Sequence, residues 1–401
     1  MTQETGLLII GAVALLYAAF ARRLTTSVLT GPMLFLILGW LLAEMDVFQL
    51  GGAQKALHIL AEITLVIVLF SDASIIDIGA LRRRHVWPQR TLLLGLPLAM
   101  LLGTLVGIVL LPDWPYWEVA LVAAILAPTD AALGQAVVTN PAVPRRVRRA
   151  LDVESGVNDG LTLPAVLLFG GLSVGGLHQV QDQNWLLFTV WQIGFGICIG
   201  AALGWGGGRC LAWARNRGFS AAGYEGIALI AMAGLCYLIS DIAGGNGFLA
   251  AFAGGAGFGA TQDSRDHQLR EFMESEGTIL TLGTFLLIGL ALVPRAVDAI
   301  SAPVLCLIGA SLFVVRPVAI WLSLIGTDAS GPVRLFIGWF GPRGLATVLF
   351  ALLIVDQIES LPHREVIVAI ATLTALASAL LHGATAAIAA RRFGPRLDGA
   401  E

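Results

Sequence analysis

Apolar runs of about 17–25 residues, each long enough to cross a hydrocarbon core of about 30 Å, recur from one end of this chain to the other. Candidate spans fall at 6–20, 28–43, 56–71, 91–111, 117–138, 151–176, 185–213, 222–240, 246–260, 272–293, 299–325, 332–355 and 365–390 of the 401 residues. A chain patterned this way is an all-α polytopic membrane protein of about thirteen transmembrane helices. Its composition agrees: 57% of residues are hydrophobic and 13% charged, against about a quarter charged in soluble domains. The stretch 246–260 is so rich in Gly and Ala that it is expected to pack against protein. Cys198, Cys210, Cys236 and Cys306 lie in or beside apolar runs, without metal-site spacing or a disulfide framework. Glu4 precedes the first run and no basic segment does, so that run is expected to be a retained span, not a cleaved signal peptide.

The basic residues set the orientation. Arg22 and Arg23 follow the first span, Arg82, Arg83, Arg84 and Arg90 the third, and Arg145, Arg146, Arg148 and Arg149 the fifth. Arg215 and Arg217 follow the seventh, Arg265 and Arg270 the ninth, Arg334 the eleventh, and Arg391, Arg392 and Arg396 the last. Intervening loops hold Asp46, Asp113, Asp182, Asp241, Asp356 and Glu359. The positive-inside rule then puts the N-terminus outside and the C-terminus in the cytoplasm. The segment 71–90 is too polar to span and is expected to be interfacial, with Ile75, Ile76, Ile78 and Leu81 on one side.

Against this apolar background, residues 127–160 carry carboxylates where a span has none: Asp130 in the fifth span, Glu154 and Asp159 in the sixth. Ionisable groups at bilayer depth mark ion or proton paths. Pro128 interrupts the fifth span beside Thr129 and Asp130, and Gly341, Pro342, Arg343 and Gly344 interrupt the twelfth. The broken spans are an odd number apart, so the units that contain them run in opposite directions. Such inverted repeats with paired breaks point to a transporter site near the bilayer midplane.

On a helical sixth span, Ser155 and Asp159 share one face, and Glu154 and Asn158 an adjoining one. These oxygens, with carbonyls freed at Pro128–Thr129, suit a hard cation. Asp159 is the first choice for the carrier. Asp130 either adds a carboxylate or counter-charges the exposed helix ends. Arg316, deep in the eleventh span, needs a partner, and Glu154 is the expected one; the alternative is a snorkelling arginine. Arg343 is expected to neutralise helix C-terminal dipoles. Glu62, mid-span in the third run, is read either as an access or outer-shell group or as an interface pair; Asp72 ends the same run. His382 is expected to be a packed, hydrogen-bonded residue, and the Arg145–Arg149 cluster an orientation signal.

A Thr-Asp after Pro128 in a broken span, ESGVND over 154–159, VVRP over 314–317 and GPRG over 341–344 together resemble the sodium/proton antiporters of the NhaP and eukaryotic exchanger type, within the monovalent cation:proton antiporter superfamily. The resemblance covers essentially the whole membrane region. It implies two inverted six-span repeats, with core-domain halves at 91–176 and 299–390. Helices in 1–71 and 185–293 would form the dimerisation domain, the latter with linker helices, of a homodimer. It implies Asp159 as the cation- and proton-binding acid, with Thr129, Asp130 and Ser155 as further ligands of transported Na⁺, and Glu154–Arg316 as a buried ion pair. Asn158 stands where electrogenic relatives carry a second aspartate, which implies one cation per proton. Glu62 matches the family's third-span acid poorly.

The expected function is exchange of Na⁺ or Li⁺ for H⁺ by competition at Asp159, with K⁺/H⁺ antiport as the alternative and a cation channel as the competing class. No cofactor and no nucleic-acid partner is expected, and no HExxH or nucleophile–base pair suggests an enzyme. With Glu401 ending the chain soon after the last span, no tail-based regulation is expected. A prokaryotic plasma membrane is the expected location.

Overall fold

The computed structural model describes residues 3–24, 29–47, 50–75, 86–175, 185–219, 225–261 and 267–394, and these are helical with no strand among them. The first three helices are α1 (Gln3–Leu24), α2 (Gly31–Glu44) and α3 (Leu50–Ile75). Next come α4 (Val86–Leu110), the short α5 (Tyr116–Ile125) and α6 (Ala131–Val138), and the long α7 (Arg145–Gly175). The middle holds α8 (Trp185–Asn216), α9 (Glu225–Ile242), α10 (Gly247–Gly259), α11 (His267–Ala291) and a short α12 (Val293–Asp298). The last are α13 (Ala302–Ser323), α14 (Gly331–Trp339), α15 (Leu345–Gln357) and α16 (Arg364–Phe393). Every candidate span of the sequence falls on one of these helices or on a broken pair. Most of the expected interfacial segment, with Ile76, Ile78 and Leu81, lies outside the described residues, as do Arg82, Arg83, Arg84, Asp182, Arg265 and Arg396.

The exterior is apolar and the interior carries the polar groups. Leu8 and Leu15 on α1, Leu93 and Val109 on α4, and Phe313 and Val314 on α13 are exposed. Thr129, Asp130, Glu154, Asn158, Asp159, Arg316 and Arg343 are buried. Among the described residues five helices, including α4, α13 and α16, are long and apolar enough to cross a membrane, and α2, α5, α10 and α15 are shorter apolar helices. The Gly- and Ala-rich α10 buries Phe248, Leu249, Ala250, Ala251 and Gly254 and packs along α8 and α3.

Two constructions occur twice. In α4 the backbone widens to a π turn over Thr91–Gly95, closed by Leu96 N–H donating to Thr91 O, with Pro97 next. In α13 the same turn spans Ser311–Val315, closed by Arg316 N–H donating to Ser311 O, with Pro317 next. The proline lacks an N–H and its ring crowds the preceding turn, so the helix widens there. The second repeated construction is the break: α5 stops before Leu126 and α6 restarts after Asp130, while α14 stops at Trp339 and α15 restarts at Leu345. The two breaks lie against each other, with Asp130 N–H donating to Pro342 O at 2.7 Å.

Other contacts hold helix ends together. Glu118, fully buried at the start of α5, accepts from His363 N–H at 3.1 Å and lies 2.7 Å from His363 Nδ1. Trp114 stacks on that imidazole at 4.1 Å. At the start of α7, Arg146 donates to Asp328 Oδ1 at 2.9 Å and stacks over Trp87, whose indole N–H donates to the same oxygen at 2.8 Å. Hydrogen bonding from Arg146 holds the Asp328 carboxyl below the usual aspartate range. The clamp is therefore present above the unfolded aspartate pKa and weakens only as pH falls through the still lower folded value, so it is not a switch near neutrality.

The GPRG run is explained residue by residue. A Cβ on Gly341 would sit 1.7 Å from Arg316 Nε, and one on Gly344 2.1 Å from Asp130 Oδ2. Gly344→Ala is expected to push Asp130 off Leu345 N–H and cost about 1–3 kcal/mol, the penalty of an unsatisfied buried group. The check is the thermal midpoint in detergent, beside Gly206→Ala on α8, where a Cβ meets nothing within 4 Å.

Candidate cation site

The site forms where the crossed breaks meet α7. Where the two breaks cross, two helix N-termini present free N–H groups and two C-termini present free carbonyls, all out of reach of water. Asp130 answers the first need. Its Oδ1 accepts from Ala132 N–H at 2.7 Å and Leu133 N–H at 3.2 Å, capping α6, and its Oδ2 accepts from Leu345 N–H at 2.7 Å, capping α15. Arg343 answers the second: Nε donates to Leu126 O at 2.9 Å, at the end of α5, and Nη1 donates to Gly341 O at 2.8 Å, beyond α14. His382 Nε2 lies 3.0 Å from Trp339 O, the last carbonyl of α14. Opposite charges thus sit on opposite dipole ends. Of the two sequence readings of Asp130, the geometry provides the counter-charge at helix ends, and both carboxylate oxygens are already engaged by the backbone.

Helix α7 presents its two faces as the spacing requires. On one, Ser155 Oγ is 3.1 Å from Thr129 Oγ1, and Asp159 follows one turn on. On the other, Glu154 Oε1 accepts from Arg316 Nη2 at 2.7 Å. Asn158 bridges the faces, its Nδ2 donating to Thr129 Oγ1 at 2.6 Å. Its nitrogen, not its oxygen, meets the hydroxyl pair, so Asn158 orients Thr129.

Four carboxylates are buried among the described residues: Glu118, Asp130, Glu154 and Asp159. The first three are held by His363, by three backbone N–H groups and by Arg316. Asp159 differs: no side-chain cation or N–H donor among the described residues bonds it, and its Oδ1 is buried without a partner. An unpaired carboxylate at this depth is costly unless it binds a cation or a proton.

Glu62 is exposed, accepts a hydrogen bond from Tyr237 on α9, and stands apart from the cluster. Asp72, about 15 Å further along α3 at 1.5 Å per residue, is the carboxylate whose charge acts on Asp159, together with that of Asp130. Asp152 on α7 acts on Asp72 in turn. Asp152 also lines a cavity of about 650 Å³ with Trp87, Arg146 and Arg149 at the start of α7. Sequence reasoning passed over Asp72 because it ends its apolar run and reads as an interfacial residue.

Residues 10–392 match the family described as sodium/hydrogen exchanger, transmembrane. The chain belongs to that family. It is 28% identical over 285 residues to a K(+)/H(+) antiporter NhaP2 of Shewanella sp. (strain MR-4), covering 70% of this chain and 48% of the relative. It is 27% identical over 363 residues to a K(+)/H(+) antiporter NhaP of Alkalimonas amylolytica, covering 86% and 60%. The chain thus spans about half the length of the curated relatives it matches. The sodium proton antiporter MjNhaP1 of Methanocaldococcus jannaschii, solved at pH 8, shares the fold, with a TM-score of 0.76 at 21% identity over 98% of this chain and 99% of that one.

Arg316→Met is expected to destabilise the protein by about 3–5 kcal/mol, because Glu154 is left buried and unpaired. Adding Glu154→Gln should recover most of the loss. A double-mutant cycle on thermal midpoints in detergent measures it.

Proposed function

We propose that this protein is a secondary antiporter that exchanges one monovalent cation for one proton across a membrane, and that Asp159 carries both in turn. The observation behind the proposal is that Asp159 alone among the buried carboxylates lacks a cation or N–H donor among the described residues. Thr129 and Ser155 supply neutral oxygens beside it. The transported ion is Na⁺ or Li⁺. The bacterial relatives, named as K(+)/H(+) antiporters, favour K⁺ as the second reading.

The fixed charges of the crossing cancel: Asp130 against Arg343, Glu154 against Arg316. Asp159 leaves the empty site one negative charge, and a proton or one cation removes it. A bare carboxylate crossing an apolar barrier is disfavoured by several kcal/mol, so the core moves only when Asp159 is loaded. Opposite fluxes are thereby coupled without contact between cation and proton, and exchange is electroneutral. Asp72, on α3, stays with the non-moving part and draws cations toward the site.

In this reading the chain crosses the membrane thirteen times with its N-terminus outside and its C-terminus in the cytoplasm. Segments 91–176 and 299–390 form the moving core, and helices within 1–71 and 185–293 the dimerisation domain of a homodimer. The repeated π turns and repeated breaks support two inverted repeats.

The test is proton flux in proteoliposomes with an acidic lumen on addition of Na⁺, Li⁺ or K⁺. Lumen alkalinisation is expected to be indifferent to a clamped membrane potential and lost in Asp159→Asn. Proton movement driven by potential without cation dependence would mean a channel. The rate should be bell-shaped in pH: at low pH Asp159 keeps its proton and excludes the cation, and at high pH no proton is available to return.

A further inference from the structure

Behind the cation site, between α7, α4 and α13, lies a small cavity of about 10 Å³ lined by Glu154, Asn158, Arg316, Leu92, Leu96 and Ile320. That is about the space the centre of one water molecule needs. The three polar residues that line it each carry one buried atom without a hydrogen-bond partner among the described residues: Glu154 Oε2, Asn158 Oδ1 and Arg316 Nε. Glu154, Asn158 and Arg316 are 3%, 1% and 4% exposed.

Two of these atoms accept hydrogen bonds and one donates. The complement is a small neutral molecule with two O–H donors and a lone pair. A cation would face the guanidinium of Arg316 and an anion the carboxylate of Glu154. With no occupant, all three groups would carry the desolvation penalty of unmade hydrogen bonds. The π turn of α4 helps make the room, since Thr91, Leu92 and Gly95 line the cavity.

We propose that this cavity holds one fixed water that donates to Glu154 Oε2 and Asn158 Oδ1 and accepts from Arg316 Nε–H, and that this water is a positioning element of the cation site. Holding Asn158 Oδ1 keeps Nδ2 on Thr129 Oγ1, which sends the Thr129 proton toward Ser155 and leaves a Thr129 lone pair for the ion. The Glu154–Arg316 pair then acts on cation affinity through one water and one amide. The role in cation affinity rests on the antiport reading above; the water itself does not.

The direct test is a density map of the wild-type protein in nanodiscs at better than about 2 Å. It should show a single peak about 2.7–3.1 Å from each of the three atoms. A cavity without density, or Glu154 and Asn158 closed directly on each other, would overturn the proposal. Ala99 of α4 also lines the cavity, so the second arm fills it with Ala99→Val and compares Na⁺ and K⁺ kinetics with Ala99→Gly, which leaves the water its room. Ala99→Val should raise KM about tenfold, as loss of an outer partner of an ion ligand does, with kcat little changed and Ala99→Gly near wild type. An unchanged KM in a variant whose map lacks the water would overturn the positioning role. If Asp159→Asn exchanges normally in the same assay, the assignment of Asp159 as carrier falls, and if protons move with potential and without cation dependence the antiport reading falls; the water peak stands in both cases, so these failures are distinguishable from its own.

Discussion

Two broken helices crossing inside an apolar bundle leave four sets of backbone groups unsatisfied, and the rest of the site depends on how they are paired. Asp130 takes the N–H ends of α6 and α15 and Arg343 takes carbonyls at the ends of α5 and α14. Each charge does what a ring of water molecules would do at a surface helix end. Two consequences follow. The crossing is rigid, because each side chain is bonded to both broken spans. It is also neutral, because the charges that hold it have opposite sign.

Neutrality of the scaffold is what gives Asp159 its meaning. Were the crossing to carry a net charge, loading one carboxylate would not discharge the moving body. With Asp130 set against Arg343 and Glu154 against Arg316, the charge state of the core reduces to the occupancy of Asp159. In the proposed antiport, a cation:proton ratio of one is then a property of charge arithmetic at one residue. In the proposed antiport Asp72 modifies the field from outside the core without entering that arithmetic, and Asp152, whose charge acts on Asp72, lines the arginine-rich cavity at the start of α7.

Much of this was legible in the sequence, for a physical reason: charge and proline are so costly inside an apolar span that each occurrence is informative. Asp130, Glu154, Asp159, Arg316 and Arg343 stand out on those grounds, and helical spacing separates the Ser155–Asp159 face from the Glu154–Asn158 face. What stayed hidden depends on neighbours distant in the chain. Glu62 looks deeper in its span than Asp72, yet which of them faces the site depends on how α3 packs, and Glu62 turns out to serve Tyr237. Asp130 has both oxygens committed to backbone only because Leu345 lies more than two hundred residues on. The glycines of GPRG read as part of a helix break; their closeness to Arg316 and Asp130 exists only in three dimensions. Glu118 carries no signal in the sequence, because its burial against His363 joins residues far apart in the chain.

The central claim is that cation and proton exclude each other at Asp159, and proton release on binding tests it most directly. Detergent-solubilised protein in weakly buffered solution with a pH indicator would be titrated with Na⁺ and with K⁺. The account predicts that, at a pH where the empty site is protonated, saturation with the transported ion releases about one proton per chain, and that Asp159→Asn releases none. Cation binding without proton release, or undiminished release from Asp159→Asn, would contradict it.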